Sequence, residues 1–196
     1  MIAFAAVLAL AAAVGWLAAG GVRRSAQLYL RFACVLYATL AGSAAFSVAA
    51  DAVAPIATTL AIALLTLASF IGFGRDPHPV LGAIILVTAC VGGIWSAATG
   101  VAGLAVLPQI LCLIAVLTVT RRRSANLRGP GLYLALGCVA LLAATCSLLV
   151  QDANVAVLLF SAAGLLGIVY ALARASNVFV KEQGDANGSV AIRRER

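Results

Sequence analysis

The chain consists of seven long apolar runs, and its basic residues lie only in every second gap between them. The second and sixth runs end instead at Asp51 and Asp152. Lys and Arg collect in the cytoplasmic loops of polytopic membrane proteins. The pattern therefore predicts seven membrane crossings, with the N-terminus outside and the C-terminus in the cytoplasm. The thirteen basic residues follow the first, third, fifth and seventh runs, and they are Arg23, Arg24, Arg31, Arg75, Arg121, Arg122, Arg123, Arg128, Arg174, Lys181, Arg193, Arg194 and Arg196.

The composition agrees with a lipid environment. Hydrophobic residues make up 64% of the 196 residues and charged residues 10%, whereas soluble domains carry about 25% charged residues. Each run is close to the roughly 20 residues that cross a bilayer, and an isolated span in lipid must be a helix to satisfy its backbone. We expect spans at about 2–20, 29–50, 54–73, 80–98, 101–119, 132–150 and 154–173. The first span, which lacks a basic leader, is expected to be retained.

An internal repeat divides the spans into two groups of three. Arg-Arg-Ser-Ala-Gln-Leu at 23–28 matches Arg-Arg-Ser-Ala-Asn-Leu at 122–127, and Leu-Tyr-Leu, Cys-Val and Asp-Ala then follow in the same order in both halves. We predict a first three-helix repeat over 1–75, a linker helix within 76–100, a second repeat over 101–175, and a disordered polar cytoplasmic tail over 176–196. The single linker helix makes the two repeats parallel, about an axis along the membrane normal.

The three-one-three layout, with a Pro-Gln pair at Pro108 and Gln109 and a basic turn after it, resembles the SWEET and PQ-loop superfamily of small membrane transporters. The resemblance implies a transporter whose halves move relative to each other. Sugar-carrying members are expected to use Asn side chains in the third helix of each repeat. The third span here offers Thr and Ser hydroxyls instead, so we do not carry over a sugar site. The expected cargo is small, apolar or lipid-like.

Four residues are candidates for substrate binding or gating. Proline bends a helix by removing one hydrogen bond, so Pro108 is a candidate hinge. Gln109 is a carboxamide deep in a span and should face the bundle interior; the alternative is a kink with one interhelical hydrogen bond. Trp95 is expected to pack on a neighbouring helix, and Ser161 is the hydroxyl of span seven.

Asp51 and Asp152 are predicted to lie at the outer mouth. There they either attract a cation or serve only as helix-end residues at the water interface. Abundant small residues are expected to let the helices approach closely. The candidate glycines are Gly15, Gly20, Gly92, Gly93, Gly164 and Gly167.

No cofactor, metal site or enzymatic activity is expected. The five cysteines lie in apolar runs without CxxC spacing, and His78 is the one histidine, so neither a zinc site nor a disulfide framework is indicated. The last span contains no lysine for a retinal Schiff base. Nucleic acid is not an expected partner, because the basic residues are spread over several loops as orientation signals are.

Two functions remain open from the sequence. The first is a small facilitator in a bacterial inner membrane, which the repeat and the Pro-Gln pair favour. The second is a non-catalytic subunit or assembly factor of a larger membrane complex, which the apolar bundle interior favours. In either case the expected partners are membrane lipids, with anionic headgroups at the cytoplasmic face. A homo-oligomer or a larger complex is compatible with both.

Overall fold

The computed structural model describes residues 1–46, 50–73, 77–101, 103–124, 129–149 and 154–194, with side chains described over a smaller part of these ranges. Within them the chain is all-helical, which confirms the predicted class. A short 3-10 turn at Ala19–Gly21 follows the first helix. The seven helices are α1 Ile2–Ala18, α2 Arg24–Phe46, α3 Ala50–Gly72, α4 Pro79–Thr99, α5 Gly103–Ser124, α6 Pro130–Ser147 and α7 Asn154–Arg194.

Six of these helices are long and apolar enough to cross a membrane, as an integral membrane protein requires. The exception is α5, whose described apolar stretch, Gly103–Thr118, is shorter. Helix α5 nevertheless runs on to Ser124 through three arginines. Long arginine side chains near a helix end can reach the interface while their stems stay in lipid. The full length of α5 is therefore compatible with a membrane crossing, and seven crossings stay a prediction.

Local sequence explains where α4 begins and ends. Pro79 occupies the first turn, where its missing N–H is not needed. The imidazole of His78 caps that turn by accepting a hydrogen bond from the backbone N–H of Val80 at 3.4 Å. Gly100 ends the helix with φ 69°, a left-handed conformation that glycine adopts without strain. The connection to α5 is consequently tight.

Six helices form a ring, and α4 lies outside it. Around the ring the order is α1, α2, α3, α5, α6 and α7, and α7 closes the ring by packing on α1. Helix α4 packs on the outer side of α3 and α5. The difference in burial is large, since 78% of the apolar window of α3 is buried inside the protein and 17% of that of α4.

The neighbour order is the same in the two halves. The middle helix of each half, α2 or α6, packs between the other two. The halves then meet mainly at two junctions, α3 on α5 and α7 on α1, and α7 makes smaller contacts with α3 and α2. A parallel repeat of three helices requires this order.

Glycines set the close approach of α6 and α7, which form the most extensive helix pair. A Cβ atom placed on Gly137 would lie 3.0 Å from the carbonyl oxygen of Gly164 and 3.0 Å from the backbone nitrogen of Ile168. A Cβ atom on Gly167 would lie 2.9 Å from the Cα of Gly137. Backbone thus meets backbone, as small residues permit in membrane helices.

The predicted glycine contacts are largely present. Gly15, Gly92, Gly93, Gly164 and Gly167 all face a neighbouring helix closely. The expectation for Gly20 is wrong, because no atom lies within 4 Å of a Cβ placed there. Gly20 sits in the turn after α1, beyond the reach of the helix interfaces.

The last helix is longer than the span expected over 154–173, and the disordered tail over 176–196 stays a prediction. Helix α7 continues without a break from the last span to Arg194. Side chains beyond Ser176 lie outside the described part. Extending a helix that has already formed avoids the cost of nucleation, which gives a physical reason for helix continuing into a polar sequence.

Candidate functional site

Gln109 lies at the centre of a hydrogen-bonded cluster that joins three helices. Its side chain is 1% exposed. The amide nitrogen donates to the hydroxyl of Thr59 at 2.8 Å and to that of Thr58 at 3.2 Å, both on α3. The amide oxygen accepts from the hydroxyl of Thr145 on α6 at 2.8 Å. We call these four residues the Gln109 cluster.

The threonines orient the amide. Each hydroxyl on α3 donates its own proton to a backbone carbonyl one turn earlier, Thr58 to Ala54 at 2.6 Å and Thr59 to Pro55 at 2.5 Å. Their oxygens are therefore left to accept the two amide protons. Thr145 shares its single proton between Gln109 and the carbonyl of Leu141, each 2.8 Å away. The cluster is satisfied internally, as a polar group inside an apolar bundle must be.

Two helix-interior prolines lie beside the cluster, and α4 contacts both. Pro108 precedes Gln109 on α5, and Pro55 lies one turn before Thr58 on α3. A Cβ atom on Gly93 would lie 3.0 Å from the Cα of Ile56 and 3.3 Å from the carbonyl oxygen of Pro55. One on Gly92 would lie 3.0 Å from the ring of Pro108. The glycine pair thus seats α4 against both proline turns.

The cluster forms one wall of a narrow cleft built from five helices of the ring. Its empty space is about 170 Å³, and no part of it is wide enough for a water molecule. The hydroxyl of Tyr37, on α2, is buried in the cleft, and no described residue forms a hydrogen bond with it. The cleft is lined by Tyr37, Thr58, Ile62, Gln109, Ala144, Thr145, Leu148, Val157 and Ser161.

The cleft lies toward one end of the bundle. Gln109 follows the first residue of α5 by six positions, which is about 9 Å along the helix axis. That end is where α2 connects to α3, α4 to α5, and α6 to α7. The connections at that end contain no Lys or Arg in the sequence. The charge pattern therefore predicts that this end faces outside.

The structure brings together some of the predicted site residues. Gln109 and Ser161 line the cleft, and Pro108 is buried next to it. Trp95 is not part of this site, because α4 lies outside the ring and the indole is 59% exposed on its outer face. The side chain of Asp51 and the whole of Asp152 lie outside the described residues.

The sequence did not single out Tyr37 or Thr145. Tyr37 is one of several aromatic and hydroxyl residues on α2, and Thr145 is one of two small hydroxyl residues near the end of α6.

Amide and hydroxyl groups give the cleft a defined chemistry. They donate and accept hydrogen bonds but carry no charge near neutral pH. The arrangement suits contact with a small uncharged group, with the tyrosine hydroxyl as the free donor. It offers no nucleophile paired with a base.

Comparison with protein-family models, with curated proteins and with solved structures finds no match.

Proposed function

We propose that the chain crosses the membrane seven times and facilitates the passage of a small, weakly polar solute, with the Gln109 cluster as the closed gate. The observation that carries the proposal is where the hydrogen bonds run. Thr58 and Thr59 belong to the first three-helix half, whereas Gln109 belongs to the second. The amide therefore bridges the two halves at one of the junctions where they meet.

The free energy of the hydrogen bonds between the two halves is suited to a gate that opens and closes. Hydrogen bonds between membrane helices contribute on average about 0.6 kcal/mol each, with a maximum near 1.7. Two bonds across the junction then favour the closed state by about 1–3 kcal/mol. Thermal motion breaks contacts of that size, and the threonine hydroxyls keep their own carbonyl acceptors when it does.

The other features supporting transport are the repeat and the layout that resembles the SWEET and PQ-loop superfamily. The equivalent junctions α3 on α5 and α7 on α1 provide two seams along which the halves can rock. The prolines beside the first seam are suitable hinge positions, since each lacks one helix hydrogen bond. The unpartnered Tyr37 hydroxyl offers a contact for the cargo.

One observation favours the second function, a non-catalytic subunit of a membrane complex. The cleft is too narrow to hold water, and the core around it is apolar and closely packed. A subunit would keep this closed form permanently. The two functions differ in whether the cleft ever opens.

We expect Ser161→Cys, in a chain whose native cysteines are replaced, to react slowly but measurably with a small polar thiol reagent added from either side of the membrane. Ser161 is 1% exposed, so reaction requires the cleft to open. The neighbouring Ala162→Cys is the matched control, because Ala162 is similarly buried but does not line the cleft. Protection of the Ser161→Cys thiol from both sides, equal to that of the Ala162→Cys thiol, would reject transport and support the subunit function.

A further inference from the structure

A second feature of the molecule lies at the opposite end from the cleft, on the outer surface of α1 and α2. There a groove of about 320 Å³ opens to the surroundings of the bundle. Its polar residues, Arg24, Gln27 and Arg31, follow one face of α2 at helical spacing. Its apolar residues, Leu28, Phe32 and Val35, follow the adjacent face and are 59%, 56% and 45% exposed.

The guanidinium group of Arg31 packs on an aromatic ring and is partly buried in this groove. Its guanidinium carbon lies 5.1 Å from the centroid of the Trp16 ring, a cation–π distance. Its Nε is buried and has no hydrogen-bond partner within the described part of the chain. No Asp or Glu lines the groove among the residues that the structure describes. A charged N–H donor without an acceptor is costly to bury, so this groove is suited to an anion.

The order of charged and apolar residues along α2 indicates which kind of ligand fits the groove. Arg24 begins the helix, and Arg31 lies about 10 Å further in. Phe32 and Val35 lie further along α2, toward the predicted middle of the membrane. An anionic headgroup followed by acyl chains has this order of charge and apolar surface. A free anion would not use the exposed apolar face, and a soluble peptide would not reach beside a span.

We infer that this groove binds one anionic phospholipid, with its phosphodiester between Arg24 and Arg31 and an acyl chain along Phe32 and Val35. Arginine presents several N–H donors in a fixed plane that matches two oxygens of a phosphate. Trp16 fixes the plane of the Arg31 guanidinium from the side of α1, and an interfacial indole is suited to the headgroup level. The site needs membrane insertion of α1 and α2 but is independent of transport.

The test uses Trp16 as the reporter in full-length protein carrying Trp95→Phe, because Trp16 and Trp95 are the two tryptophans. The protein is placed in phosphatidylcholine nanodiscs containing increasing fractions of phosphatidylglycerol with brominated acyl chains. We expect quenching of Trp16 to saturate at a low fraction of the anionic lipid. Arg31→Gln should raise the half-saturating fraction about tenfold, because it removes both a charge and the unpaired donor.

Two further variants keep the test decisive. Arg24→Gln changes an exposed residue, and it should raise the half-saturating fraction about fivefold. Arg174→Gln removes an exposed arginine on α7 outside the groove and should leave the curve unchanged. Equal curves for all variants, or an equal shift for Arg174→Gln, would overturn the proposal. Absence of saturable quenching of Trp16 would also overturn it, because an anion site without acyl contacts would not bring the bromine atoms of a bound lipid to Trp16.

Discussion

Gly137→Leu is expected to prevent accumulation of folded protein in the membrane. The first added carbon already lies 3.0 Å from two backbone atoms of α7, the Gly164 oxygen and the Ile168 nitrogen. Backbone atoms of a packed helix cannot move aside singly, so α6 and α7 must separate along their whole interface. Overpacking of this kind costs typically about 1–3 kcal/mol and more when backbone is displaced. Lipid is as apolar as leucine and supplies no force to close the interface again.

The measurement is the yield of monodisperse protein after extraction in mild detergent, together with its unfolding temperature. Gly42→Leu is the matched control. Gly42 also lies within a membrane-length helix, but no atom lies within 4 Å of a Cβ placed there. We expect that variant to behave as the unmodified protein does. Equal yield and equal unfolding temperature for Gly137→Leu would contradict the close packing of α6 on α7.

Gln109→Leu is expected to loosen the gate while leaving most of the stability in place. The change removes three hydrogen bonds, a loss of about 2 kcal/mol for interhelical bonds in membranes. The hydroxyls of Thr58 and Thr59 keep their backbone acceptors, so no buried donor is left unpaired. Because two of the lost bonds favour the closed junction, the open population should rise about tenfold, as a change of about 1.4 kcal/mol predicts.

The rate at which the Ser161→Cys thiol reacts with the reagent measures this change, in the same cysteine-replaced chain. Thr59→Val removes one of the two bridging acceptors and should raise the rate by a smaller factor, about threefold. Ser69→Ala serves as the control, since Ser69 is buried on α3 but donates only within its own helix, to Leu65 at 2.7 Å. A lower unfolding temperature with an unchanged reaction rate at position 161 would mean that the cluster is structural and that the subunit function is the better one.

The membrane helices could be predicted from the sequence because each depends on local composition alone. Runs of apolar residues, proline at helix starts and Gly100 after α4 mark elements whose ends are set within a few residues. The burial of Gln109 could also be predicted, since a carboxamide within an apolar run has to find a partner inside the bundle. In both cases the prediction depends only on a single helix and its lipid environment.

The partners of Gln109 could not be predicted, because they depend on which helices are neighbours. Every helix here is apolar on most of its surface, so its sequence does not indicate which face meets which neighbour. Thr58 and Thr59 are two of several hydroxyls on α3, and the packing of α3 on α5 selects them. For the same reason the exposure of Trp95 could not be predicted, because the sequence of α4 alone does not place this helix outside the ring. Gly137 was missed because its role depends on the packing of α6 on α7, which the sequence of α6 alone does not indicate.

The side of the membrane on which each end of α5 lies tests the central claim most directly, because α5 has the shortest apolar stretch. Val101, before α5, is exposed. After α5, no described residue other than the chain neighbours lies within 4 Å of a Cβ placed on Gly129. In a chain lacking its native cysteines, we predict that an impermeant thiol reagent labels Val101→Cys on intact cells. Gly129→Cys should be labelled only after the membrane is permeabilised. Labelling of both positions from the same side would show that α5 does not cross, and it would contradict the seven-helix topology and the gate built on it.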